Sequence, residues 1–372
     1  MGLTSDKLLW SAALAAALLF TGTVWLWPRL ARRGWRAVCG RVALLLATQV
    51  MIFTAVGLAA NQAFGFYAGW ADLFGREKDQ GVVVDHADGP GLRVVGTGRV
   101  PGATGARPEE GGRIDEVRIM GRTSRIASPA YVYLPPEYFQ AEHRTRDFPA
   151  SIVLTGYPGT ARALVDKLRY PRTALESARD GRMRPMILVM LRPTVAPPRD
   201  TECVDVPRGP QTETFFAEDL PEAIGGHYRV AGGRGAWGVA GNSTGGYCAL
   251  KLAMHHPDVF GAGAGLSAYY KAPIDPTTGD LFQGDEKREN EADLRWFLKH
   301  REAPATSLLV SSSKKGETNY KDTLAFIEQV KATGRTRISS IILESGGHNF
   351  NTWRREIPAT LEWLDKRLTQ QK

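Results

Sequence analysis

Ser243 stands between two glycines in Val239–Ala253 (VAGNSTGGYCALKLA). A serine hydroxyl is a weak nucleophile until a base takes its proton. The chain must therefore also supply a histidine, an acid to orient it and donors for the oxyanion. Glycine–any–serine–any–glycine decides little alone in a chain with 40 glycines. Its surroundings decide more. The apolar run GAWGVAG precedes it and the helix-like run GGYCALKLAMHHP follows it. A strand–turn–helix context makes a nucleophile elbow, in which a tight turn lifts the hydroxyl above a sheet. The competing reading is a serine N-cap on an ordinary helix.

The usual chain order on such a scaffold is serine, acid, histidine. His255, His256, His300 and His348 follow Ser243. His255 and His256 close the helix after the elbow, about two turns from the serine, and read as C-terminal capping residues. His300 lies in a charged helical stretch. His348, in ESGGHNFNTWRREIP, follows the last apolar run in a glycine turn, where a general base can reach back over a sheet. The acid is expected after TSLLVSSS, in KKGETNYKD, which offers Glu317 and, further along, Asp322. Glu317 is nearer the strand end and is preferred. An exposed carboxylate at a helix start is the alternative reading of either. The oxyanion hole needs two backbone N–H groups, one from Thr244 and one from the turn TGYPGT. Tyr157 is the expected donor there, with Gly156 as the fallback.

The elements around these residues alternate. RIDEVRIMG and SPAYVYLPPEYF have the period of two antiparallel strands, the second stopped by Pro135–Pro136. FPASIVLTGYPG, MRPMILVMLRP, GAWGVAG, VFGAGAGLSAYY, TSLLVSSS and ISSIILESGGH read as buried strands. Helical runs fall between most of them and after the last. This predicts an α/β fold: a mostly parallel sheet covered on both faces, led by an antiparallel pair. Sites in such sheets lie beyond the carboxyl ends of the strands, where Ser243, Glu317 and His348 all fall.

The N-terminus is of another kind. Leu8–Trp27 and Val42–Phe66 carry no charge, and each is long enough to cross a hydrocarbon core of about 30 Å as a helix. The segment between them holds Arg29, Arg32, Arg33, Arg36 and Arg41. Arginines concentrate in cytoplasmic loops, which predicts a multi-pass cell-membrane protein with everything after the second span outside. A cleaved signal peptide is the alternative for the first span. The expected organisation is a transmembrane hairpin over 1–66, a Gly-rich linker over 67–112 and an extracytoplasmic α/β domain over 113–372. The formal charge of +8 comes partly from the basic loop, and no basic run interleaved with aromatics suggests nucleic-acid binding. Cys203 and Cys248 fall in the domain placed outside, where a disulfide can persist; two buried thiols are the other reading. No Cys/His cluster suggests a metal, and no cofactor is expected.

YVYLPPEYF, LTGYPG, DTECVDVP, GVAGNSTGGYCALKLAMHHPDVFGAGAGLSAYY and GGHNFNTWRREIPATLEWL together resemble the esterase D group of α/β-hydrolases. Within it they are most similar to actinobacterial esterases related to the mycobacterial mycolyltransferases. The resemblance covers about Ile114 to Leu368. It implies Ser243 as nucleophile, His348 as base, an acid in the Glu317 loop, and hydrolysis or transfer of an acyl ester. TGYPGT lacks the Asp and Arg that the mycolyltransferases carry there for a sugar acceptor, which speaks against trehalose as acceptor unless Arg162 substitutes. The segment Tyr269–His300 lies where this fold carries lid insertions and is expected to shape an acyl pocket; plain loop and helix is the alternative. The expected partners are an acyl-ester or lipid-like small molecule and the membrane. A cell-envelope acyltransferase, a non-catalytic module on a hydrolase scaffold and, more weakly, a peptidase are the competing functions.

Overall fold

A computed structural model describes residues 5–31, 34–64, 91–105, 107–197, 199–233 and 235–368. The chain divides into two compact units between residues 82 and 83.

The first unit contains helices α1 (Asp6–Leu30) and α2 (Trp35–Phe64). Both are long and apolar enough to cross a membrane, with mean hydropathy reaching 1.7 over an 18-residue stretch of Asp6–Leu30 and 2.2 over one of Trp35–Gln62. They form an antiparallel hairpin: Ala12 packs near Leu58, and the Thr23 and Thr48 hydroxyls meet at 3.1 Å. Such a buried hydroxyl pair holds helices together where no water competes. The basic segment expected to be a loop is largely helical. Arg29 lies in the last turn of α1, and Arg36 and Arg41 lie in the first two turns of α2.

The second unit is a nine-stranded sheet: β1 (Gly91–Gly98), β2 (Arg113–Met120), β3 (Ala127–Leu134), β4 (Ala150–Leu154), β5 (Ile187–Leu191), β6 (Trp237–Asn242), β7 (Phe260–Leu266), β8 (Ser307–Ser313) and β9 (Arg337–Leu343). Its order is β1-β2-β3-β5-β4-β6-β7-β8-β9. The first three strands are antiparallel, β3 pairs antiparallel with β5, and all pairs from β5 to β9 are parallel. This is an α/β-hydrolase fold.

β1 corrects the reading of 67–112 as linker: Gly91–Gly98 pairs with β2 along its length, so the folded unit begins before residue 113. An edge strand with only one covered face needs few apolar residues, so GLRVVGTG passes for a glycine-rich tether. The first part of that linker, residues 67–90, lies outside the described residues.

β4, β5 and β6 are buried at every position. They lie between two apolar layers, as a parallel sheet requires. Three helices bear on the site: α3 (Thr244–His255), α4 (Tyr320–Thr333) and α5 (Phe350–Arg367). α3 is buried from Thr244 to Met254. It follows the central strand β6 and cannot shift without disturbing the sheet beneath it.

Candidate active site

Because β4, β6, β8 and β9 are parallel, the loops after them open on one edge of the sheet. Ser243 follows β6, Glu317 follows β8, His348 follows β9, and Tyr157 follows β4.

Ser243 has φ 55° and ψ −123°, a region costing a non-glycine residue on the order of 1–3 kcal/mol. The surrounding backbone enforces this conformation. A Cβ on Gly245 would lie 2.3 Å from the Thr155 carbonyl oxygen and 2.5 Å from that of Leu154, and one on Gly241 would lie 2.3 Å from the Gly245 carbonyl oxygen. Only glycine at both places lets α3 start this close to β4 and β6. Ser243 precedes the first residue of α3, yet its hydroxyl makes no capping bond. It meets His348 Nε2 at 2.9 Å instead. The N-cap reading therefore does not describe this side chain.

His348 Nδ1 lies 3.9 Å from Glu317 Oε1, an ion-pair distance but longer than a hydrogen bond. The histidine ring is half-exposed, whereas the Glu317 side chain is 1% exposed. Burial of the ring lowers the His348 pKa, and the Glu317 charge opposes that shift. A neutral imidazole ready to accept a proton is the outcome near neutral pH. Glu317 Oε1 also accepts from the Ser267 hydroxyl, which in turn accepts from Trp353 Nε1 at 2.8 Å. Trp353 stands edge-on to the His348 ring at 5.1 Å. Asp322 lies elsewhere: it is in the first turn of α4, largely exposed, 3.8 Å from Arg295.

Thr244 opens α3, so its N–H points from a helix N-terminus, where partial positive charge collects. The Gly156–Tyr157 turn abuts the serine: a Cβ on Gly156 would lie 3.0 Å from Ser243 Cβ. Both candidate oxyanion segments thus flank Ser243. His255 and His256 lie at the other end of α3, where both meet the Glu213 carboxylate, at 2.8 Å and 3.1 Å, beside the buried Lys251 ammonium. Arg162 is engaged with Asp166 at 2.8 Å. His300 stacks on Trp296.

Cys203 and Cys248 form a disulfide, with Cα atoms 5.6 Å apart. The bond ties the strap before it to α3, one turn beyond Thr244. On that strap sits Glu202, a buried carboxyl that the sequence pattern does not single out. Both its oxygens lie 2.6 Å from the Tyr269 hydroxyl. Burial, with Asp200 adding to it, pushes Glu202 up to about 9. Tyr269 opens the expected lid segment and stacks on Tyr247 of α3 at 5.1 Å. Its place two residues after Ser267, in the loop that follows β7, is the signal that the sequence carries. Among the described residues no group of His, Cys, Asp and Glu is arranged to hold a metal.

Residues 127–364 match the model of the Esterase family. An uncharacterized protein of Corynebacterium glutamicum is 25% identical over 277 residues, covering 69% of this chain; the chain spans 63% of that relative's length. Among solved structures, a ferulic acid esterase superposes with a TM-score of 0.58 at 17% identity, covering 68% of this chain and 97% of its own. An S-formylglutathione hydrolase from Agrobacterium tumefaciens gives 0.56 at 17% identity, covering 73% and 100%. A fluorophosphonate-binding serine hydrolase of Staphylococcus aureus gives 0.55 at 17%, covering 68% and 98%.

Proposed function

The chain belongs to the Esterase family, and from that premise we propose that it is a serine hydrolase that cleaves acyl esters at the outer face of a cell membrane through Ser243, His348 and Glu317. The observation that carries the reading is the 2.9 Å contact between His348 Nε2 and a Ser243 hydroxyl held in a strained elbow.

Ser243 Oγ attacks the ester carbonyl carbon while His348 Nε2 takes its proton. Charge develops on the carbonyl oxygen, and the N–H groups of Thr244 and Tyr157 receive it; losing one such donor costs about 3 kcal/mol of transition-state stabilisation. The imidazolium formed at this step is stabilised by Glu317. It returns its proton to the departing alkoxide, leaving an acyl-serine. Water, deprotonated by His348, then releases the acid and restores Ser243. The half-exposed His348 ring leaves water a direct approach, which favours hydrolysis over transfer to a second alcohol.

The N-terminal unit supports membrane anchoring. Two apolar helices with arginines clustered where they join support a reading in which that junction is cytoplasmic and the following domain lies outside. The Cys203–Cys248 bond accords with an oxidising compartment. We place the chain with the actinobacterial, mycolyltransferase-like branch on the motifs GNSTGG and GGHN.

The test is hydrolysis of short- and long-chain nitrophenyl esters by the full chain in detergent, beside Ser243→Ala, with and without glycerol or a sugar. The expected result is Ser243-dependent release of free acid whose rate is unchanged by the acceptor. An acyl–sugar or acyl–glycerol product forming faster than free acid would replace hydrolysis by acyl transfer.

A further inference from the structure

Behind the His348–Glu317 pair lies a second carboxyl that takes no part in the acyl-transfer steps. Glu356, on α5 one turn after Trp353, is fully buried. Its Oε2 accepts from the Ser311 hydroxyl at 2.8 Å. The Ser311 hydroxyl accepts from the Ser267 N–H at 3.1 Å, and the Ser267 hydroxyl donates to Glu317. Two serines, one within β8 and one just after β7, therefore join the two carboxyls. Glu356 Oε1 and Glu317 Oε2 have no hydrogen-bond partner among the described residues.

The surroundings offer little to balance two charges here. Glu317 faces Glu356 from the loop after β8, and its field disfavours a second anion. Tyr170 faces it from the helix Tyr170–Arg179, with a buried hydroxyl. Arg355 is its neighbour on α5, but that guanidinium is exposed and bonds the Ser345 carbonyl. Burial and a like charge both favour the neutral acid.

We propose that Glu356 is a positioning residue that keeps its proton in the working enzyme, so that Glu317 is the single anion under His348, held in place through Ser311 and Ser267. A neutral carboxylic acid accepts the Ser311 hydrogen bond without repelling Glu317. Burial, with the Glu317 charge adding to it, pushes Glu356 up to about 8 from an ordinary 4.5. Folding must then take up a proton at any pH between those values, so wild-type stability falls as pH rises through that window. Glutamine has the shape of the neutral acid and needs no proton.

The inference rests on Glu317 as the acid of the triad, so the experiment reads stability and turnover separately. Full-length wild type, Glu356→Gln, Glu356→Ala and Ser311→Ala are compared in detergent, by melting temperature from pH 5 to 9 and by kcat and KM for nitrophenyl butyrate at pH 7. The expected melting-temperature advantage of Glu356→Gln over wild type is small at pH 5, grows to pH 8 and then levels. Glu356→Ala and Ser311→Ala are expected to lose tenfold or more in kcat with KM unchanged, and Glu356→Gln to recover most of the Glu356→Ala loss. A gap between Glu356→Gln and wild type that does not change with pH would overturn the retained proton, whatever the triad does. A kcat for Glu356→Gln as low as that of Glu356→Ala, or a Ser311→Ala variant with wild-type kcat, would overturn the positioning role.

Discussion

Replacing Glu317 with glutamine removes one charge and little else. The amide keeps the carboxylate's shape, and its oxygen can still accept from Ser267. The charge it removes lies 3.9 Å from His348 Nδ1. Two unit charges about 4 Å apart interact by about 1 kcal/mol in water and about 4 kcal/mol at an effective dielectric constant near 20. Glu317 is buried and His348 half-exposed, so the interaction falls between these limits. Each 1.36 kcal/mol is about tenfold in rate, which gives a loss of about 5- to 900-fold in kcat. KM is expected to hold, because the charge matters only once the imidazolium forms. The acid limb carries a second signature. Glu317 raises the His348 pKa against the lowering effect of burial. Without that charge the pKa falls further, so histidine remains an active base to lower pH. The acid limb of kcat/KM is expected to move to lower pH in Glu317→Gln, although the plateau is lower. Nitrophenyl ester hydrolysis from pH 4.5 to 8 measures both. Wild-type kcat and an unmoved acid limb in Glu317→Gln, with Asp322→Asn impaired instead, would refute the assignment.

Three further outcomes are expected. Gly245→Ala places a methyl group 2.3 Å from a backbone oxygen; overpacking of this kind costs about 3 kcal/mol or more when only backbone can yield, read as a lower denaturation midpoint together with lost ester hydrolysis. Replacing both Cys203 and Cys248 by serine opens a cross-link between residues 45 apart and is expected to cost about 2–4 kcal/mol in stability by chemical denaturation; an unchanged midpoint would count against the bond. Cys39, the free and exposed cysteine of the basic segment, should react with a membrane-impermeant maleimide only after cells are permeabilised; labelling of intact cells would reverse the proposed topology.

Much of the sheet is readable because its interior strands are uncharged, mostly apolar runs separated by helical periods, so β4 to β8 stand out. Ser243 and His348 are readable because each follows such a strand in a glycine turn, and the structure brings them to 2.9 Å. What escaped was placed by tertiary packing. β1 only partly covers one face, through Leu92 and Val94, and its sequence has no strong alternation. Glu202 lies in a strap whose position depends on the disulfide and on Tyr269. Glu356 follows two arginines and passes for part of a solvated helix face. Yet Trp353, Glu356, Ile357, Thr360, Leu361 and Leu364 form one buried stripe of α5. A carboxyl in the middle of that stripe was the signal. The basic segment between the apolar spans misled in a different way. Charge marks it as a loop between spans, but arginine is a good helix former, and both helices continue into it.

Covalent capture of the nucleophile tests the central claim most directly. The full chain is treated with a fluorophosphonate probe, digested, and the modified peptide identified by mass spectrometry, beside Ser243→Ala and His348→Ala. The expected result is a single phosphonylated residue, Ser243, with no adduct in the first variant and strongly slowed labelling in the second. An adduct on another serine that persists in Ser243→Ala, or no adduct on a folded chain that hydrolyses esters, would contradict the account.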